Sequence, residues 1–203
     1  MPKILVAYYS TYGHVHTLAH AVAEGARAAG GDVTVKRFPE LIGDDKLEKM
    51  GALDAHKQML HDEELAPDDL AEYDAILFGF PTRYGNFPQQ VAAVLDRTGG
   101  LWSQGKLVGK VGSVFTSTST QHGGQETTCF GFYTFMIHMG MLISGVPYAV
   151  QKLMQMDTIM GGSPYGAATM AGTDGSREVS DDEKEIAREQ GRVVTEYAAK
   201  LAG

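Results

Sequence analysis

Six apolar residues in succession, Ile4-Leu5-Val6-Ala7-Tyr8-Tyr9, run into the hydroxyl- and glycine-bearing turn Ser10-Thr11-Tyr12-Gly13 and then into a helical pattern. Successive side chains of a strand point to opposite faces, so an unbroken apolar run requires cover on both sides. The run therefore predicts an interior strand of a parallel sheet flanked by helices. It also delivers Ser10 and Thr11 to a helix start, where unpaired N–H groups and the positive end of the dipole favour an anion.

The remaining chain repeats this alternation. Val15, Leu18, Ala19, Val22, Ala26 and Ala29 recur at helical spacing, and Gly30-Gly31 ends the pattern. Residues 32–38 alternate as a partly exposed strand, and residues 40–69 are charged and irregular, a surface excursion. A continuous apolar run at 75–80 leads into Pro81-Thr82-Arg83-Tyr84-Gly85-Asn86. A fourth strand at 108–115 leads into the hydroxyl- and glycine-rich loop through Gly124. Between these two strands, Val91, Val94 and Leu95 give a helix its inner face and Gly99-Gly100 breaks it; after the loop come a helix at about 125–139, a fifth strand at 141–146 and a long ordered loop over 148–175. Ser180 and Glu183 make a capping box for the last helix, whose inward face is Ile186, Val193, Val194, Tyr197 and Leu201.

This order predicts one α/β domain over 1–203: a flavodoxin-like doubly wound, five-stranded parallel sheet, order 2-1-3-4-5, with helices on both faces. Its ligand crevice lies beyond the C-terminal ends of strands one and three. With 203 residues, 43% of them hydrophobic, the chain can bury a sizeable core. A net charge of −8 argues against nucleic-acid binding, which needs Lys and Arg to neutralise phosphates. The single cysteine, Cys129, cannot form an internal disulfide and reads as a small buried hydrophobe. No apolar run is long enough to span a bilayer and no secretory leader is visible, so the expectation is a soluble cytoplasmic protein.

The first loop lacks the lysine of G-x-x-x-x-G-K-[ST] and the glycines of G-x-G-x-x-G, which favours a single terminal phosphate over a nucleotide's phosphate chain. The predicted topology brings three strand-end loops together. One end of the shared crevice holds a phosphate, and the rest can cradle a planar ring.

Taken together, Tyr8 to His14, Pro81 to Asn86, Thr98 to Trp102, Gly123 to Glu126 and Gly161 to Ala167 resemble the WrbA family of FMN-dependent NAD(P)H:quinone oxidoreductases. The resemblance spans nearly the whole chain. It implies that Ser10, Thr11, Tyr12, Gly13, His14 and Val15 hold the FMN phosphate. Pro81, Thr82, Arg83, Tyr84, Gly85 and Asn86, with Ser117, Thr118, Ser119, Thr120, Gln121, His122 and Gly123, would surround the flavin ring and ribityl chain. His138 would approach the flavin, and Tyr12 and Trp102 would contact the nicotinamide and the electron acceptor. The implied reaction is ping-pong hydride transfer from NADH or NADPH to flavin and on to a quinone. It yields hydroquinone without a free one-electron-reduced quinone, a role suited to oxidative stress. A homotetramer with pockets between subunits is implied as well.

A flavodoxin-type electron carrier that docks on redox partners is the alternative; the acidic charge suits it, but residues 40–69 and the glycine-rich 161–166 segment exceed a minimal carrier. His138 could donate a proton to the quinone or merely satisfy local backbone. His16 and His20 lie i,i+4 on the first helix with no third metal ligand evident, so packed or solvated histidines are expected, with no metal.

Overall fold

The computed structural model describes residues 1–201. Along the chain lie β1 (Lys3–Tyr8), α1 (His14–Ala28), β2 (Asp32–Arg37), α2 (Asp44–Lys49), α3 (Leu53–Met59), β3 (Glu63–Glu64) and a 3-10 turn at Pro67–Glu72. Next come β4 (Ala75–Pro81), α4 (Gln89–Leu95), α5 (Gly99–Ser103), β5 (Val111–Thr118) and α6 (Gln125–His138). β6 (Leu142–Ile143), a 3-10 turn at Gln151–Met154, β7 (Ala168–Met170) and α7 (Asp181–Leu201) complete the order.

The sheet runs β3-β2-β1-β4-β5-β6, with β7 also paired to β5. Every pairing is parallel. The five expected strands stand in the expected order, 2-1-3-4-5, and β3 and β7 are additions. The central position of β1 explains its composition. Ile4, Val6 and Tyr8 pack against Leu18 and Val22 of α1 and Ile186 and Val194 of α7. Leu5, Ala7 and Tyr9 join Val91, Val94, Leu101, Phe132 and Met136 on the other face. Each of the larger aliphatic side chains contributes about 1.5–3 kcal/mol on burial, so the two-sided strand anchors both helical layers.

α1 and α7 approach so closely that side chains are excluded at the crossing. A Cβ on Gly191 would lie 2.0 Å from the Val22 carbonyl oxygen, and one on Gly25 would lie 1.8 Å from that of Arg188. Gly191→Ala is therefore expected to cost about 1–3 kcal/mol in urea melts by overpacking. Gly100→Ala in α5, where a Cβ meets nothing within 4 Å, serves as a neutral or mildly stabilising control.

Several boundaries depart from expectation. β5 begins at Val111, because Gly109 turns at φ 79° and donates to the Gly140 carbonyl, leaving Val108 exposed. It ends at Thr118, because β7 gives Thr116 to Thr118 a partner; Ser117 and Thr118 are strand residues. The fifth strand shrinks to β6, an exposed edge where Leu142 and Ile143 have no strand beyond them among the described residues. Residues 40–69 are more than a surface excursion, since β3 pairs with β2 and Leu47, Met59 and Leu65 are buried. Tyr197 and Leu201 are exposed, with Ala198 taking the inward position on α7. The same insertion sets His61 and Asp62 beside His16 and His20, so the pair on α1 does have further potential ligands.

Candidate functional site

The first wall of the site is built at the join of β1 and α1. Ser10 and Thr11 are buried at the strand end, and Gly13 caps the helix at φ 95°, a conformation that costs glycine little. The Gly13 N–H donates to Ser10 Oγ at 3.1 Å. Thr17 N–H is the donor to the Gly13 carbonyl at 2.9 Å, which leaves the N–H groups of His14, Val15 and His16 without an intrahelical acceptor. Val15 itself is fully buried in the core, so only its backbone is available to a ligand. His14 Nε2 donates to the Arg177 carbonyl at 3.0 Å.

The second wall is a tight turn after β4. Arg83 and Asn86 exchange backbone hydrogen bonds of 2.7 and 3.0 Å, and Tyr84 and Gly85 both adopt positive φ, 55° and 80°. Two successive left-handed residues make the primed turn that suits a two-residue hairpin. A tyrosine in this conformation is uncommon, and its ring is fully exposed. Gly85 is required by space as well as by φ, since a Cβ would meet Thr127 Oγ1 at 2.8 Å. Arg83 reaches back to the first wall, its Nη2 donating to Thr11 Oγ1 at 2.9 Å.

The third wall follows β5. The Thr82 N–H donates to the Ser117 carbonyl at 2.9 Å, which joins this wall to the second. Thr118 Oγ1 donates to the Thr120 carbonyl at 2.8 Å and the Gly123 N–H to the same oxygen at 3.1 Å, curling the loop over the strand end. Gln125 ties the loop to the glycine-rich segment: its Nε2 donates to Thr118 Oγ1 at 3.2 Å and its Oε1 accepts from the Gly162 N–H at 3.1 Å.

These walls converge on one cleft lined by Ser10, Thr11, Tyr12, His14, Pro81, Thr82, Arg83, Ser117, Thr118, Ser119 and Ala171. A second hollow of about 480 Å³ adjoins it, sharing Tyr12, Ser119 and Ala171. Its size falls within the ~300–1,000 Å³ usual for small-ligand sites. Met50, Gly51, Ala55 and the turn Gly172-Thr173-Asp174-Gly175 close its far side. Sequence reading missed these residues. Turn chemistry was visible at Thr173-Asp174-Gly175, but only the pairing of β7 with β5 carries that turn to the cleft. Asp174 Oδ1 accepts from the Ser176 N–H at 3.1 Å and Oγ at 2.8 Å, and these bonds hold its carboxyl below the usual range.

Of the other expected residues, Gly13 and Val15 contribute backbone at the first wall, while Tyr84, Gly85, Asn86, Thr120, Gln121, His122 and Gly123 shape the other two turns without lining the cleft. Trp102 and His138 do not come to it. His138 ends α6, whose 14 residues carry it ~20 Å from Gln125 at the cleft end. Trp102 lies at that same remote end of the sheet: Gly105 and Lys106 fold back on Trp102 and Leu101, and Val108 packs against Gly140. Within one chain, His138 thus stands at the opposite end of α6 from the cleft.

The donor set is that of a phosphate cradle: three free N–H groups at a helix start, two buried hydroxyls and one guanidinium, with open space beside Gly13. A flat ring has room in the adjoining hollow. Residues 2–155 match the family model described as NADPH-dependent FMN reductase. The NAD(P)H dehydrogenase (quinone) of Geotalea uraniireducens is 53% identical over 98% of this chain and 99% of that protein. The chain belongs to the NAD(P)H dehydrogenase (quinone) family. The protein of that name from Geotalea daltonii is 52% identical over 98% of both chains. A flavodoxin, WrbA-like protein from Agrobacterium tumefaciens superposes with a TM-score of 0.68 at 23% identity, covering 98% of this chain and 99% of that one. Family membership makes the chain an FMN-dependent oxidoreductase, and the cleft has the groups that FMN requires.

Proposed function

We propose that this enzyme passes two electrons from NADH or NADPH to a quinone, in a ping-pong sequence that yields hydroquinone and no free one-electron-reduced quinone. The observation that carries the reading is a phosphate cradle opening into one hollow edged by Tyr12, with Geotalea relatives that are named for this activity. When bound, FMN supplies the two-electron relay. Ser10, Thr11, Arg83 and the start of α1 would hold its phosphate, and the turns at 81–86 and 117–123 its ribityl chain and ring. Tyr12, half exposed, offers a flat face to a nicotinamide or a quinone. Because both flat substrates would use one hollow, one must leave before the other enters. Initial rates with varied NADH and benzoquinone, followed by nicotinamide absorbance, are expected to give parallel double-reciprocal lines. Intersecting lines exclude the ping-pong sequence, and bound FMN that neither nicotinamide reduces favours an electron carrier.

Trp102 and His138 fit this reading as groups presented to the cleft of another copy in a homotetramer. An apolar edge supports assembly: Leu142 and Ile143 of β6 are exposed beside Tyr197 and Leu201 of α7. There Trp102 would stack on the acceptor and His138 would hold a proton for the quinone oxygen. Trp102→Ala is expected to lower kcat/KM for quinones about tenfold, the worth of one aromatic contact, with FMN affinity unchanged. Equal activity in the variant removes Trp102 from the site. A cytoplasmic setting suits the free, buried thiol of Cys129, and no described helix is long and apolar enough to cross a membrane.

A further inference from the structure

We propose that His16, His20, His61 and Asp62 form a binding site for one divalent transition-metal ion, with zinc(II) the best match, outside the flavin cleft. None of the four lines the cleft or its adjoining hollow. Each offers one ligand atom, and the four atoms lie within 4.8 Å of one another.

The arrangement follows from two short sequence relations that the fold superimposes. His16 and His20 stand one turn apart on the same face of α1, their ring centroids 4.5 Å apart. His61 and Asp62 follow α3 and are swung onto that face because β3, beginning at the next residue, pairs with β2. The His61 ring lies 5.7 Å from that of His16 and 6.1 Å from that of His20.

The spacing suits a tetrahedral ion. Zinc bonds of about 2.0–2.2 Å place neighbouring donors of a tetrahedron roughly 3.3–3.6 Å apart. His20 Nε2 is 3.2 Å and His16 Nε2 3.7 Å from Asp62 Oδ2, and His61 Nε2 is 3.6 Å from Oδ1. Three imidazoles therefore surround one carboxylate at near-coordination distances. Movement of the rings, most freely that of the exposed His61, would draw the four ligand atoms onto one ion.

Two further observations point to a ligand. His16 Nε2 is buried with no hydrogen-bond partner among the described residues, an uncommon state for a polar atom and one that a bound cation relieves. Asp62 is also held by Tyr8, whose OH donates to Oδ2 at 2.7 Å, the outer support that ligating carboxylates generally have. The nearby Arg37 pairs with Glu64 at 3.2 Å. Three imidazole nitrogens and one carboxylate favour zinc and its transition-metal neighbours over calcium or magnesium, which take oxygen shells. Four protein ligands leave no open position, the pattern of a structural ion. Such an ion would fasten residues 40–69 to α1, and so fix Met50, Gly51 and Ala55 along the hollow.

The test uses the FMN-loaded enzyme, stripped with EDTA and dialysed against zinc, with metal counted by atomic emission and affinity read by competition with a chromophoric chelator. The wild type is expected to retain one equivalent of zinc per chain and to melt at a higher temperature with zinc than with EDTA. His20→Gln and His61→Asn are expected to lose that equivalent and the zinc-dependent rise. Tyr8→Phe is expected to weaken binding about 10–100-fold. His61 lies on the surface, so His61→Asn should melt like wild type in EDTA, which separates ligand loss from misfolding. Cobalt substitution should give tetrahedral d–d bands to the red of the flavin in wild type alone. Wild type that retains no zinc, or variants that retain it with undiminished affinity, overturns the proposal.

Discussion

Replacing Glu183 with alanine is expected to remove about 3–5 kcal/mol of stability and to loosen one side of the flavin cleft. The carboxylate is fully buried, yet each oxygen is occupied. It accepts from the Gly161 N–H at 2.8 Å, Thr169 Oγ1 at 2.9 Å, the Ser180 N–H at 2.9 Å and Arg177 Nη1 at 3.0 Å. Alanine would orphan these donors together, at about 1–3 kcal/mol for each one left buried, and would strip Arg177 of its counter-charge. Thermal melts should register a fall of roughly 10 °C. The damage reaches the site because the Arg177 carbonyl accepts from His14 and Thr169 belongs to the strand that leads to Ala171. FMN should therefore bind more weakly in a variant that touches no ligand. A melting temperature unchanged within a degree or two would refute this account.

Glu183 also sets a pH dependence. Burial by itself would raise its pKa, but Arg177 and the N–H groups of Gly161 and Ser180 outweigh it and hold the carboxyl below its ordinary value of 4.5. A carboxyl depressed by folding contributes stability that is fully present above that ordinary value. The contribution is lost as the pH falls through the lower, folded value. Glu183→Gln should flatten this acid limb of the stability curve while keeping most of the shape of the site.

The second large effect concerns the cofactor. Thr11→Val is expected to weaken FMN binding about 10–100-fold while leaving riboflavin binding nearly unchanged, because a hydrogen bond to a charged group contributes about 1.5–3 kcal/mol and riboflavin has no phosphate. Thr11 also receives Arg83 Nη2, so the change frees the guanidinium that braces the cradle. Fluorescence titration of the flavin-free protein with both ligands gives the comparison. An equal loss for the two would mean that Thr11 serves the ring or the fold rather than the phosphate.

Much of this site was legible in local pattern. The unbroken apolar run before Ser10 requires an interior strand, and the hydroxyls that follow it can only meet the start of the next helix. Ser180 and Glu183 announced their capping box, with bonds of 3.2 and 2.9 Å. What that pattern did not disclose is that the same Glu183 also grips Gly161, Thr169 and Arg177. A capping residue looks complete with its own helix, and its distant partners carry no periodic signal.

The remaining surprises share that cause. β7 has three residues, too few to show an alternation, so the placing of Ala171 and Asp174 at the cleft was hidden. His61 and Asp62 carry no spacing relation to His16 and His20; a two-residue strand pairing brings them together. Trp102 and His138, which the resemblance assigns to the site, lie at the far end of their own chain's sheet, where no local pattern shows what a neighbouring copy would meet.

The sequence by itself determined the order of strands and helices, the two-sided burial of β1 and the hydroxyl-bearing turn at the start of α1 that is proposed to hold the phosphate, because hydrophobic period and turn residues act between near neighbours. Only the tertiary structure decided which distant residues join that cradle, which remain at the far end of the sheet, and that three histidines surround one carboxylate. Those outcomes depend on pairings across the sheet, where partners are chosen by the packing of the whole chain rather than by their own sequence.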